Sequence, residues 1–245
     1  MWTIARYLPT SMFSLRPAQS TASGAQTLLV PTPFAVKMAL VNAAFMLVPT
    51  EQVIAWWPDI RDLSIAYSLP EALVVNKTFI KIQRKTDLPK QKGVDKDEYI
   101  SEKIRDGKWP FGPTIAYREF VLFHGELGIA VKPARPSEIP FGELLSHINY
   151  LGKRGSFIQL QALPQQQNEL DSPWLNVTET AKSFPIDGTL QILDDCGTGL
   201  TWPHVDIYSG KAIKLSDEQR VLRSIVLPYK QQRSSYRYTL YTRLS

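Results

Sequence analysis

The chain has 245 residues, 44% of them hydrophobic and 21% charged, which suits one large globular domain or two small ones and excludes a disordered, tail-like polymer. Lysine and arginine outnumber aspartate and glutamate by 28 to 23, a mild excess of +5, and a lone cysteine, Cys196, excludes an internal disulfide. The most apolar stretch, 34–48, spans 15 residues and contains Lys37 and Asn42, short of the about 20 that a membrane-crossing helix needs, so a soluble protein of the reducing cytoplasm is expected.

Residues 2–8 read as a first strand, followed by Pro9 and a polar loop through Ser20, Ser23 and Gly24. Thr32-Pro33 then opens a helix, because threonine caps well and proline at the first helical position gives up only an N–H that has no partner there. The helix is expected to stop before Pro49, and Thr50-Glu51 begins a second short one carrying Trp56 and Trp57 and closed by Pro58. Residues 74–84 alternate with period two, the pattern of a strand. From Lys85 to Pro113 the composition turns polar and is broken by Pro89, Gly93, Gly107, Pro110 and Gly112, which predicts an excursion from the core with a short helix at 98–105.

Residues 115–123 and 127–131 form two strand-like runs joined by His124-Gly125-Glu126, a hairpin by its spacing. A helix over 137–150, the turn Leu151-Gly152-Lys153-Arg154-Gly155 and a strand over 156–163 follow. The order β-α-β-β-α-β predicts an α+β fold, a ferredoxin-like (RRM-like) domain over 1–163 with a thumb-like insertion near 85–113. Residues 164–245 are expected to form a β-rich C-terminal extension or small subdomain, with strands at 189–193 and 236–244.

Charge is more informative by segment. Residues 1–50 carry +3 with no acid, 77–92 carry +5, and 229–245 carry +4 with no acid, so the remaining 162 residues carry −7. Clustered cations of this kind are the footprint of a polyanion, and a merely solvated basic face is the plainer alternative.

No metal site is expected, because His124, His147 and His204 stand at no ligand spacing with one another or with Cys196. Asp194-Asp195 resembles a carboxylate pair for magnesium, but a strand running into a polar turn is the preferred reading. No G-x-S-x-G, Walker loop or G-x-G-x-x-G is present, and no cofactor is implied. His124, at the predicted hairpin tip, is the candidate for metal-free RNA cleavage, against the simpler reading of a solvated turn histidine. Gly152 and Gly155 would let the backbone approach an anion while Lys153 and Arg154 supply charge, although a helix cap and surface turn fit the same glycines. Phe13 and Arg16 lie in an acid-free loop and suit a base-stacking ring and a phosphate contact, with core anchoring as the alternative for Phe13. In the last strand Arg237, Tyr241 and Arg243 share one face.

Two stretches carry a resemblance. Met12-Phe13-Ser14-Leu15-Arg16, followed by Val30-Pro31-Thr32-Pro33-Phe34-Ala35-Val36-Lys37, and the helix leading into Tyr150-Leu151-Gly152-Lys153-Arg154-Gly155-Ser156 are similar to the Cas-five family of CRISPR interference complexes. The family's hairpin corresponds to 117–131, and residues 164–245 are not matched by the resemblance. The resemblance implies a non-catalytic, RNA-binding subunit holding the five-prime handle of the guide RNA, beside the large subunit and the first backbone subunit, with target DNA nearby. RNA contacts would fall to Phe13, Arg16, Lys37, Gly152, Lys153, Arg154 and Gly155, and the excursion at 85–113 would be a thumb over the RNA. One branch of the family cuts precursor guide RNA with Tyr, Lys and His; here Phe123-His124-Gly125 lacks the adjacent lysine. A metal-independent endoribonuclease acting through His124 and a purely structural assembly protein are the alternatives.

Overall fold

The structure, a computed structural model, describes residues 1–19, 24–89, 93–171, 173–179, 186–216 and 218–244; Ser20 and Ser23 of the polar loop and Lys90 and Lys92 of the second basic window lie outside the described residues. Strand β1 (Trp2–Pro9) is followed by the two-residue β2 (Gly24–Ala25) and helix α1 (Pro33–Leu47). Thr32 caps α1 as its sequence predicts, its Oγ1 accepting from the Ala35 amide at 3.1 Å. Helix α2 (Thr50–Arg61) runs through Pro58 instead of ending there. The proline forfeits one ladder bond, while the Asp62 amide closes the last turn on the Pro58 carbonyl at 3.1 Å and Trp57 and Ile60 remain buried.

Next come β3 (Ser64–Ser68), β4 (Ala72–Lys85), α3 (Lys96–Arg105), β5 (Phe111–His124) and β6 (Leu127–Lys132). The expected hairpin between 115–123 and 127–131 does not form. β5 pairs with β4 from Ala72↔His124 to Lys85↔Phe111, whereas β6 pairs with β3 and β1. The chain turns a corner at Gly125, whose φ of +105° excludes most side chains. One long ribbon thus belongs to one sheet through β3–β6 and to another through β4–β5, with α3 in the connection at its far end.

Helix α4 (Phe141–Ser146) is much shorter than the expected 137–150, since Pro140 precedes it and the chain leaves helical geometry after His147. β7 (Ile158–Leu160), β8 (Gln165–Gln167), β9 (Trp174–Asn176), β10 (Thr189–Cys196), α5 (Trp202–Val205), β11 (Arg220–Leu227), β12 (Tyr229–Ser234) and β13 (Tyr238–Arg243) complete the chain.

The result is a mixed α+β architecture. One sheet has the order β7-β1-β6-β3-β9, with β8 also pairing β1; a second has the order β12-β13-β4-β5-β2; β10 and β11 form a separate pair. Residues beyond 163 feed both large sheets, through β8 on β1, β9 on β3 and β13 on β4. They also share one core with the N-terminal part, in which Leu193, Leu200, Leu227 and Tyr229 are fully buried together with Tyr7, Leu40, Ile60 and Ile65. Among the described residues no helix is long and apolar enough to cross a membrane.

Candidate nucleic-acid interface

The segment after β1 is pinned at successive residues. The Thr10 amide donates to the Phe157 carbonyl at 3.0 Å, and Phe13 exchanges backbone bonds with Val121 at 2.8 and 2.7 Å. Ser11 Oγ donates to the Gly155 carbonyl and accepts from the Phe157 amide, both at 2.7 Å. The N-terminal segment and the turn at 151–156 are therefore fastened side by side, although 144 positions separate Ser11 from Gly155. Leu15 is buried, and a side chain added at Gly152 would meet its Cδ2 at 3.7 Å. The turn is a tight one: Ser156 bonds back to the Lys153 carbonyl at 3.1 Å, and Gly152 and Gly155 hold φ of +71° and +99°. Both glycines are needed for that backbone.

This arrangement opens a cleft of about 450 Å³ between the pinned segment, the turn, the start of α1 and the β10–β11 pair. Arg16, Gly152 and Lys153 are among its lining residues, together with Phe34, Tyr150 and Arg220. Arg16 and Lys153 are exposed, and among the described residues no carboxylate pairs with either. The acid in the lining, Asp194, is buried and engaged by Arg220 Nε at 2.7 Å. Three cations against one acid, with the N-terminal end of α1 beside them, make the cleft attractive to a polyvalent anion.

The remaining candidates fall elsewhere. Phe13 is 0% exposed and meets Phe123 edge-on at a centroid distance of 5.0 Å, so it is a core residue with no free face for a base. Lys37, expected on phosphate, is 2% exposed and bound to Asp195 at 2.6 Å; helix α1 turns it inward. Arg154 is exposed on the turn but is not part of the cleft lining. His124 stands at the exposed corner between the two sheets, with no side-chain hydrogen bond among the described residues. Asp194 and Asp195 lie inside β10, not in a turn. They face opposite ways, and Arg223 joins Lys37 on Asp195 at 3.0 Å.

Sequence reasoning missed Arg220 altogether. It did not single out Phe34 and Tyr150 as cleft residues, although both lie within the stretches that carry the family resemblance.

The second and third basic windows also meet, because β13 pairs with β4 and the Lys77 amide donates to the Arg237 carbonyl at 2.8 Å. Along one face of the ribbon Lys77, Phe79, Lys81, Gln83 and Lys85 stand opposite Glu119, Tyr117, Ile115, Pro113 and Phe111. Phe79 and Ile115 are 62% and 67% exposed there. The face of β13 with Tyr241 and Arg243 turns inward instead, Arg243 donating to the Leu69 carbonyl at 2.6 Å.

No protein-family profile matches this sequence, and neither does any curated protein. Among solved structures, a CRISPR protein from Archaeoglobus fulgidus is 10% identical with a TM-score of 0.42, over 100% of this chain and 92% of that one. A chain of a CRISPR RNA-guided surveillance complex is 16% identical with a TM-score of 0.45, over 92% of this chain and 90% of that one.

Proposed function

We propose that this chain is a non-catalytic, RNA-binding subunit of a CRISPR effector complex, which holds the five-prime handle of the guide RNA and caps the complex beside its large and first backbone subunits. One observation carries the reading. The two stretches that resemble the Cas-five family, 12–37 and 150–156, lie far apart in sequence and yet line the same cationic cleft, through Arg16, Phe34, Tyr150, Gly152 and Lys153. The strand order β7-β1-β6-β3, with every neighbouring pair antiparallel, is the order expected of a ferredoxin-like βαββαβ unit, which supports the same family. The excursion at 85–113, which carries α3 and the far end of the β4–β5 ribbon, would be the thumb over the RNA.

The test uses the purified full chain and a labelled single-stranded RNA carrying the repeat's handle, titrated over a range of salt. Arg16→Ala and Lys153→Ala are each expected to weaken binding and to reduce the slope of log affinity against log salt by about 0.7 per lost phosphate contact. The RNA should stay intact on incubation in EDTA. A double variant with unaltered affinity and slope overturns the RNA reading, and cleavage in EDTA overturns the non-catalytic part of it.

A further inference from the structure

Arg220 comes from β11, outside the two stretches that carry the family resemblance, yet it lines the same cleft as Arg16 and the Lys153 turn. Its Nε donates to Asp194 Oδ2 at 2.7 Å, and its guanidinium carbon lies 4.4 Å from the centre of the Phe34 ring. The Asp194 side chain is 2% exposed, whereas 31% of the Arg220 side chain remains open. One edge of the guanidinium is thus held by a buried carboxylate and one face by an aromatic ring. A guanidinium carries five N–H donors in a rigid plane. Among the described residues only Nε has an acceptor, so the Nη donors remain available on a group whose orientation is already fixed.

We infer that Arg220 is the phosphate-gripping fork of this cleft and that Asp194 and Phe34 are the residues that position it. The inference rests on the RNA reading above and adds a contact from the C-terminal strand pair. A phosphate on a single-stranded RNA is the fitting ligand, because its oxygens match the guanidinium fork while Arg16 and Lys153 add positive charge to the same lining. Pre-orientation matters here: a free arginine gives up side-chain freedom on binding, and one already clamped gives up little. A lysine in its place would keep the charge but lose the paired donors.

The same labelled RNA and salt titration separate the possible outcomes. Arg220→Gln is expected to weaken binding about tenfold or more and to lower the salt slope by about 0.7. Arg220→Lys should weaken binding while leaving the slope nearly unchanged, since the charge stays and the fork goes. Asp194→Asn gives the sharpest sign. If Asp194 merely repelled the RNA, removing its charge would tighten binding; if it aims Arg220, binding weakens despite the loss of a negative charge. Tighter binding by Asp194→Asn at an unchanged melting temperature overturns the positioning role, and Arg220→Lys, which keeps the charge opposite Asp194, decides the matter where Asp194→Asn does not fold. Weakening by Arg16→Ala and Lys153→Ala but not by Arg220→Gln overturns this inference and leaves the RNA reading standing. Weakening by none of the three overturns the reading itself.

Discussion

Lys37 Nζ lies 2.6 Å from Asp195 Oδ1 with both side chains 2% exposed, so helix α1 and strand β10 are joined by an ion pair in the core. Asp195 Oδ1 also accepts from the Cys196 amide at 2.7 Å, and Oδ2 accepts from Arg223 Nε at 3.0 Å. A carboxylate with three donors is fully compensated, and taking away one partner of a buried pair leaves charge without solvent or counter-charge. Lys37→Met is therefore expected to cost about 3 kcal/mol of folding stability, at the lower end of the range for such pairs because Arg223 remains. Asp195→Asn should cost more, about 5 kcal/mol, since it strands two cations. Urea unfolding of the variants checks the order. The RNA salt slope of the folded Lys37→Met protein should equal that of the parent, and a lower slope would return Lys37 to the phosphate site.

Phe13 offers a similar contrast between core and surface. Its ring is buried against Phe123, and its backbone is locked to Val121 in both directions. Phe13→Ala is expected to lose about 3–5 kcal/mol of stability, the usual cost of deleting a buried aromatic ring. RNA affinity per folded molecule should hold at a temperature well below the melting point. A stable variant with impaired binding would mean that the ring leaves the core to reach a base.

The features legible in the sequence are those set by neighbours along the chain. The Thr32 cap, strand β1, the alternation of β4 and the short α3 all follow from local sequence, and the structure has each of them. Pairing was not legible. Residues 115–123 look ready to fold back on 127–131, and nothing local announces that they instead join β4 while β6 inserts between β1 and β3. Strand β3 escaped notice because it is buried on both faces, with Ile65, Ala66 and Tyr67 buried in succession, so that no in-and-out alternation marks it. The site shows the same division. Arg16 and the Lys153 turn were found as cations beside glycine and aromatic residues, but the fate of Lys37 depends on an aspartate 158 positions away. Arg220 has no local mark at all; what makes it part of the cleft is the fold of β10 on β11 and the ring of Phe34.

Burial also sets how stability responds to alkali. Desolvation pushes the Cys196 thiol up to about 12 from 9.0, against a smaller lowering by Lys37, and burial raises the Tyr67 and Tyr229 hydroxyls above their usual 10.0. These groups stay protonated in the folded chain at pH values where the unfolded chain releases their protons. A raised folded-state pKa contributes stability that is complete below the unfolded value and disappears as pH climbs toward the folded one. The window therefore opens near 9.0 with Cys196 and widens from 10.0 with the tyrosines. Each group is expected to remove about 1.4 kcal/mol per pH unit within its window. Urea midpoints should hold level up to the opening of the window and then fall, and Cys196→Ala should delay the onset by deleting the earliest contributor. Thiol labelling gives an independent check: at about pH 8 the folded protein should react far more slowly than the same chain in urea, because only a thiolate attacks the reagent. Equal labelling rates in the two states would show that Cys196 is neither buried nor shifted in solution.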